Sequence, residues 1–133
     1  MDQLTIKIPS TPDNIRIVES FIDNANEFFS FSEDMYGNVM VSVTEAVNNA
    51  ILHGNQSDVN KQVTLSLHIE DKTFLKFVVT DEGTGFDHND LPDPTAPENI
   101  DKIGGRGIFL MEQLCDELTF DNNGRTTTLS FNL

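Results

Sequence analysis

The chain has 133 residues, the size of one domain, and its 38% apolar content is enough for a core without disulfides. Twenty-two acidic side chains against eight Lys and Arg give a formal charge of −14. That charge disfavours binding to nucleic acids and anionic membranes, because both need clustered positive charge. No signal-peptide pattern and no apolar run near the ~20 residues of a membrane span is present, so the sequence predicts a cytoplasmic protein.

The first half of the chain predicts one strand and two helices. Apolar and polar residues alternate over residues 4–8, which indicates a strand. Apolar residues at helical spacing then predict a helix from Asp13 to about Phe29 and a second helix from about Glu33 to His53. Ser32 and the acidic residues after it favour the start of the second helix, and Gly54 favours its end.

The second half predicts two hairpins and a third helix. A segment without periodicity at 88–103 contains three prolines and predicts a mobile loop, and a helix is expected from about Ile108 to Leu114. Cys115 continues this apolar pattern and is predicted to be a core residue. Alternation around short turns predicts strands at 63–69, 75–79, 118–120 and 127–133. The order favours an α+β two-layer sandwich, with helices packed on one face of a mainly antiparallel mixed sheet.

One segment, SVTEAVNNAILHGN at 42–55, carries a carboxylate and an amide on the same side of the second helix. Glu45 and Asn49 are four residues apart and have apolar neighbours. An amide oxygen is a hard ligand suited to Mg²⁺, which uses one or two protein groups with water and phosphates. A carboxylate beside it can accept a proton from an attacking hydroxyl. Taken alone, the pair is also consistent with the solvent-exposed face of an ordinary amphipathic helix.

A second segment, DEGTGFD at 81–87, follows a predicted strand. Asp81 at the strand end can accept a hydrogen bond from an amino group, such as the exocyclic amine of adenine. Gly83 and Gly85 allow the backbone to approach a ligand closely. Taken alone, the segment is also consistent with a tight acidic turn.

A third segment, GGRGIFLM at 104–111, has three glycines directly before the third predicted helix. Free backbone N–H groups at a helix start favour phosphate, and Arg106, between Gly105 and Gly107, can add a charged contact. A flexible loop before a helix explains the segment alone equally well. The chain contains neither GxxxxGK[ST] nor GxGxxG, so the P-loop and the usual dinucleotide fingerprint are absent.

Together, in this order and spacing, the three segments resemble the N-box, the DxGxG box and the glycine-rich box of the GHKL ATPases. This superfamily, with the Bergerat fold, includes gyrase, MutL and histidine kinase types. The text EAVNNAILHGN is especially similar to the small bacterial anti-sigma-factor serine/threonine kinases. The resemblance spans essentially the whole chain and implies a single histidine-kinase-like ATP-binding domain over residues 1–133.

The resemblance also implies a role for each motif residue. Asn49 matches the Asn that holds Mg²⁺ on the ATP phosphates, and Glu45 matches the acidic residue expected to act as general base. Asp81 matches the adenine-binding Asp. The other matches are Gly83 and Gly85 on the adenine side, Gly105, Arg106 and Gly107 on the phosphate side, and a late threonine that helps to hold adenine through water. Strand phase selects Thr127 for this last role, with Thr126 as the alternative.

The implied function is that of an ATP-dependent protein serine/threonine kinase acting as an anti-sigma factor, with ATP and Mg²⁺ as cofactors. Such a protein would bind a sigma factor, phosphorylate an anti-anti-sigma (STAS-type) antagonist, and commonly form a homodimer. Two alternatives stay open. One is a nucleotide-sensing partner-switch module without transfer activity, against which Glu45 argues because binding alone needs no base. The other is a catalytic domain of a histidine kinase, although the helical hairpin with the phosphoacceptor histidine is missing.

Overall fold

The computed structural model describes residues 3–70, 74–83, 105–121 and 125–132. A short 3-10 turn at Pro12–Asn14 precedes the first helix, and a π-helical turn at Ala50–Gly54 continues the second. In chain order, the helices and strands of these ranges are β1 (Gln3–Pro9), α1 (Ile15–Phe29), α2 (Glu33–Asn49), β2 (Gln62–Glu70), β3 (Phe74–Thr80), α3 (Gly105–Leu114), β4 (Glu117–Asp121) and β5 (Thr126–Asn132).

The strands form one sheet in the order β1-β2-β3-β5-β4, and the four pairings between these described strands are antiparallel. Both predicted hairpins are confirmed as the pairs β2–β3 and β4–β5. β3 also pairs with β5, so the two hairpins join into a continuous surface. Their turns, at 71–72 and 122–124, lie outside the described residues.

The helices cover one face of this sheet. α2 packs between α1 and α3 and also contacts β3 and β5. The strand side chains that face the helices are buried, among them Val63, Leu65, Leu67, Leu75, Phe77, Val79 and Leu129. The opposite face is mostly polar, apart from Phe74 and Val78, and the hydroxyls of Thr5 and Ser66 lie 3.1 Å apart on it. The predicted two-layer α+β sandwich is therefore confirmed.

The start of α2 also agrees with the prediction. The Ser32 hydroxyl accepts a hydrogen bond from the Met35 N–H at 3.1 Å, and Glu33 and Asp34 occupy the first turn. This cap satisfies one of the backbone donors that a helix start leaves free. None of the helices in the described ranges is long and apolar enough to cross a membrane.

Three helix boundaries differ from the prediction. α1 begins at Ile15 rather than at Asp13, because the residues before it form a 3-10 turn. α2 ends at Asn49, and the expected last turn is a π-helical one that the Asn55 N–H closes by donating to the Ala50 carbonyl at 2.8 Å. α3 begins at Gly105 rather than near Ile108. Glycine is a weak helix former, which favoured a loop. The burial of Ile108 and Met111 against the core favours the helix despite the glycines of its first turn.

Candidate active site

Three elements that carry predicted site residues meet at one end of the sheet. β3 ends at Thr80, and the N–H of the next residue, Asp81, donates to the Arg125 carbonyl just before β5 at 2.9 Å. The π-helical turn after α2 reaches the same end, because Gly54 lies against the Asp81 carboxylate. The end of α2 and the exit of β3 are therefore in direct contact.

The Asp81 side chain is nearly buried, with 9% of its surface exposed. Its Oδ1 accepts a hydrogen bond from the Gly83 N–H at 2.8 Å. Burial raises the pKa of the Asp81 carboxyl, and the Gly83 N–H and the positive charges of Arg125 and Lys61 partly oppose this rise. A desolvated carboxylate held in one orientation is a strong and directional acceptor for an amino group.

Gly54 and Gly83 bring two backbone segments closer together than side chains would allow. A Cβ atom added at Gly83 would lie 1.7 Å from the Gly54 carbonyl oxygen, and one added at Gly54 would lie 2.3 Å from Asp81 Oδ2. We call Gly54, Asp81 and Gly83 the glycine seam. Gly83 was expected to let the backbone approach a ligand, but its absent side chain also makes room for Gly54. No local sequence pattern predicts this contact between Gly54 and Gly83.

Glu45 and Asn49 both lie in the C-terminal part of α2 and are half-buried. They are one helical turn apart, beside the buried residues Ala46 and Val47. Asn49 is the last residue of α2, and the π-helical turn that ends at the glycine seam follows it directly. The amide and the carboxylate are therefore carried by the same helix end that contacts Asp81.

The strand register distinguishes the two candidate threonines. Thr127 pairs with Val79, which is 1% exposed and faces the helices, so Thr127 lies on the helix-covered face. Thr126 pairs with Thr80 and has the opposite phase. Asp81 follows Val79 by two residues. Thr127 therefore lies on the same side of the sheet as Val79 and near the end of the sheet where Asp81 leaves β3. The choice of Thr127 from strand phase agrees with this register.

The phosphate-side residues lie in the first turn of α3, which contains Gly105, Arg106 and Gly107. The first N–H groups of a helix have no partner within it, so this turn offers backbone donors to an anion. α3 packs along α2, and its C-terminal end is tied to the far end of β5 through the Asp116 N–H, which donates to the Ser130 carbonyl. Its first turn therefore points away from that end. Gly85 and the predicted loop at 88–103 lie outside the described residues.

No group of three or more His, Cys, Asp or Glu side chains suited to a metal ion occurs in the part of the chain that the structure describes. Mg²⁺ does not require such a group, since it is commonly held by one or two protein oxygens together with water and phosphate oxygens. The side-chain amide of Asn49, which is half-buried, carries an oxygen ligand of this kind.

One residue of this region was missed by sequence reasoning. Asn55 directly follows the π-helical turn and is 1% exposed, and its side-chain Oδ1 accepts a hydrogen bond from the Glu82 N–H at 2.7 Å. The sequence feature that could have indicated Asn55 is its position directly after Gly54, the glycine expected to end the helix. An amide at such a position ordinarily faces solvent.

Comparison with known proteins identifies the family of this domain. The sequence profile of the histidine kinase-like ATPase domain family matches residues 8–132. The serine-protein kinase RsbW of Bacillus subtilis is 29% identical over 133 residues, which cover 95% of this chain and 82% of that protein. The serine-protein kinase RsbW of Bacillus licheniformis is 31% identical over 125 residues, which cover 88% of this chain and 76% of that protein.

Two solved structures share the fold. The RsbU and RsbW domains of a Mycobacterium tuberculosis protein align with a TM-score of 0.68 at 16% identity, over 99% of this chain and 32% of that one. The histidine kinase domain of a blue-light-activated kinase from Erythrobacter litoralis aligns with a TM-score of 0.52 at 20% identity, over 95% of this chain and 61% of that one. At these identities the likeness is one of fold.

Proposed function

Because the chain belongs to the histidine kinase-like ATPase domain family and, within it, to the family of the serine-protein kinase RsbW, we propose that it phosphorylates a protein partner on serine or threonine and acts as an anti-sigma factor. The observation that carries this proposal is the glycine seam. It joins the helix end with Glu45 and Asn49 to the buried carboxylate of Asp81. The group that would recognise the base and the groups that would act on the phosphates are therefore held by elements in direct contact.

The adenine side of the proposed site rests on Asp81 and Thr127. The Asp81 carboxylate would accept a hydrogen bond from the exocyclic amine of adenine, a group that guanine lacks at the same position. The low exposure of Asp81 supports this role, because a hydrogen bond to a desolvated charge is stronger than one to a hydrated charge. Thr127, on the helix-covered face of β5, would contribute through a water molecule.

The phosphate side of the proposed site rests on Asn49 and on the first turn of α3. Bound Mg-ATP would supply the phosphoryl group and a cation that neutralises its charge. The Asn49 amide oxygen would hold the cation, and the backbone N–H groups of Gly105 and Gly107 would bind phosphate oxygens. Arg106 would add a positive charge in a chain that has only eight Lys and Arg.

Glu45 would act on the incoming hydroxyl of the partner. It lies one turn before Asn49 on the same side of α2, so a hydroxyl aligned with the phosphates would be within its reach. Its carboxylate would orient this hydroxyl and accept its proton during transfer. This role separates a kinase from a module that only senses nucleotide, since sensing requires no base.

The proposed partners are a sigma factor and a STAS-type anti-anti-sigma protein, the latter being the substrate. The formal charge of −14 favours approach of a basic segment, such as one that would otherwise bind nucleic acid. The charge supports this pair of partners without selecting individual proteins.

The decisive experiment measures phosphoryl transfer and nucleotide binding in the same variants. The protein is incubated with labelled Mg-ATP and the purified products of neighbouring genes, and label on Ser or Thr is quantified. We expect Glu45→Gln to lower the transfer rate by about 10²–10⁴-fold while the Kd for Mg-ATP stays within about twofold. Asn49→Ala should weaken binding only when Mg²⁺ is present. Glu33→Gln is the matched control, because Glu33 is exposed at the opposite end of α2.

The outcomes separate the alternatives. Transfer by Glu45→Gln at the wild-type rate would show that the base assignment is wrong. Tight binding of Mg-ATP by the wild-type protein with no labelled partner would favour the nucleotide-sensing module. Label on histidine rather than on Ser or Thr would favour the histidine kinase alternative.

A further inference from the structure

Asn55 is a buried amide at the junction between the π-helical turn and the segment that leads to β2. It is 1% exposed, and two of the other buried polar residues of the described chain, Ser10 and Asp81, lie in the same region. A buried amide is unfavourable unless its donors and acceptor are all used. The hydrogen bonds of Asn55 therefore indicate what it stabilises.

Every polar group of Asn55 has a partner. Its side-chain Nδ2 donates to Ser10 Oγ at 2.8 Å and to the Gln62 carbonyl at 3.1 Å, and its Oδ1 accepts from the Glu82 N–H at 2.7 Å. Its backbone N–H donates to the Ala50 carbonyl at 2.8 Å, and its carbonyl accepts from the Asp58 N–H at 3.0 Å. One residue thus links β1, the π-helical turn, β2 and the exit of β3.

The anchor points of Asn55 are themselves fixed to the sheet. The Ser10 hydroxyl donates to the Lys61 carbonyl at 2.6 Å, and the Ser10 N–H donates to the same oxygen at 3.2 Å. The Glu82 carboxylate accepts a hydrogen bond from the Gln62 N–H. The residue after Asp81 is consequently held through its backbone by Asn55 and through its side chain by the start of β2.

The N–H that Asn55 holds belongs to the peptide bond that leaves Asp81. Fixing that peptide restricts the backbone of Asp81, and Gly54, the residue before Asn55, contacts the Asp81 carboxylate directly. From this geometry we infer that Asn55 is a positioning residue for base recognition, which orients the Asp81 carboxylate relative to the end of α2. The inference rests on the proposed function, in which Asp81 binds adenine.

A positioning role and a purely structural role make different predictions. Loss of a structural contact lowers the fraction of folded protein but leaves the preferences of the folded molecules unchanged. Loss of a positioning contact lowers the preference for ATP over GTP, because only ATP presents an amine to the Asp81 carboxylate. GTP presents a carbonyl oxygen there and gains nothing from an accurately placed acceptor.

The test compares the Kd values of Mg-ATP and Mg-GTP, by displacement of a fluorescent nucleotide, for wild type, Asn55→Ala and Ser10→Ala. All measurements are made at a temperature where circular dichroism shows each variant folded. We expect Asn55→Ala to raise the Kd for Mg-ATP about tenfold and to change that for Mg-GTP by less than twofold. Ser10→Ala keeps Asn55 but removes the hydroxyl that accepts a hydrogen bond from its Nδ2. This variant should raise the Kd for Mg-ATP at least about threefold.

Asp116→Ala is the matched control. The Asp116 carboxylate also accepts a backbone hydrogen bond, from the Asn132 N–H at 2.7 Å, but at the opposite end of β5. This variant loses one side-chain-to-backbone contact and should keep the wild-type ratio of the two Kd values.

The results distinguish failure of the inference from failure of the proposed function. If the wild-type protein binds no Mg-ATP, or binds Mg-ATP and Mg-GTP equally, the role of Asp81 is wrong and the inference falls with it. If the wild type prefers ATP and Asn55→Ala retains that preference, only the positioning role is overturned. Should Asn55→Ala fail to fold, Ser10→Ala decides, and an unchanged preference in that variant overturns the inference.

Discussion

Replacing Gly54 with alanine tests whether close contact at the glycine seam is required for nucleotide binding. A Cβ atom at Gly54 would lie 2.3 Å from Asp81 Oδ2 and 2.5 Å from its Cγ. Real Cβ contacts essentially never fall below 3.0 Å, so the Asp81 carboxylate must move by at least about 0.7 Å or the π-helical turn must retreat. Either change displaces the acceptor that we assign to adenine.

The size of the expected effect follows from this displacement. A displacement of this size breaks the hydrogen bond between the carboxylate and the adenine amine, and a hydrogen bond to a charged group contributes about 1.5–3 kcal/mol, so we expect the affinity for Mg-ATP to fall about 10- to 100-fold. Overpacking in a closely packed region costs about 1–3 kcal/mol, and the free energy of unfolding should fall by that amount. The binding loss should persist at temperatures where the variant is fully folded.

Gly37→Ala provides the control for this substitution. Gly37 lies inside α2, and an added Cβ there meets nothing within 4 Å. Alanine should raise the free energy of unfolding by about 0.5–1 kcal/mol through helix propensity and leave nucleotide binding unchanged. Isothermal titration calorimetry with Mg-ATP and urea denaturation measure both quantities. Binding by Gly54→Ala within twofold of Gly37→Ala would refute the assignment of the seam to the nucleotide site.

Two further predictions concern titratable groups whose pKa is raised by burial, the buried Asp81 and the half-buried Cys115, which packs against the core rather than inside it. Because burial raises the pKa of Asp81 above its ordinary 3.8, its charge destabilises the folded chain at neutral pH, and this cost disappears as the pH falls through the folded pKa. Asp81→Asn should therefore abolish Mg-ATP binding yet raise the free energy of unfolding at pH 7, measured in urea; a loss of stability would contradict this. Burial also raises the pKa of the Cys115 thiol from 9.0 to about 11, and the thiol donates to the Met111 carbonyl at 2.8 Å. Iodoacetamide should react with it about 100-fold more slowly in the folded than in the unfolded protein at pH 8, and equal rates would be evidence against this burial.

Much of the fold was predictable because local patterns and packing agree. Alternation in β2 and β3 identified both the strands and the side that is buried, since the same residues form the core. Ser32 was identified as the start of α2 from its hydroxyl and the acidic residues after it, and its hydroxyl caps the helix. The strand phase that selected Thr127 agrees with the pairing of that residue with Val79.

The contacts within the site were less predictable, because they join residues that are far apart in sequence. Nothing local to Gly54 indicates that it packs on Gly83, or that Asn55 binds the peptide after Asp81. The start of α3 at Gly105 also depends on tertiary packing, since the propensity of its first residues favours a loop. The sequence motifs thus identify candidate groups, and the three-dimensional packing determines how they are held.

Local features that are unfavourable for stability concentrate at this end of the molecule. The π-helical turn is a rare conformation, and Gln56 and Ser57, just after Asn55, have φ values of 52° and 56° that non-glycine residues seldom adopt. A carboxylate is buried close by at Asp81. Such features persist where the surrounding structure enforces them, and they cluster at functional sites. Their position agrees with the location of the site that the motifs indicate, and the left-handed pair at Gln56 and Ser57 lies outside the three motif segments.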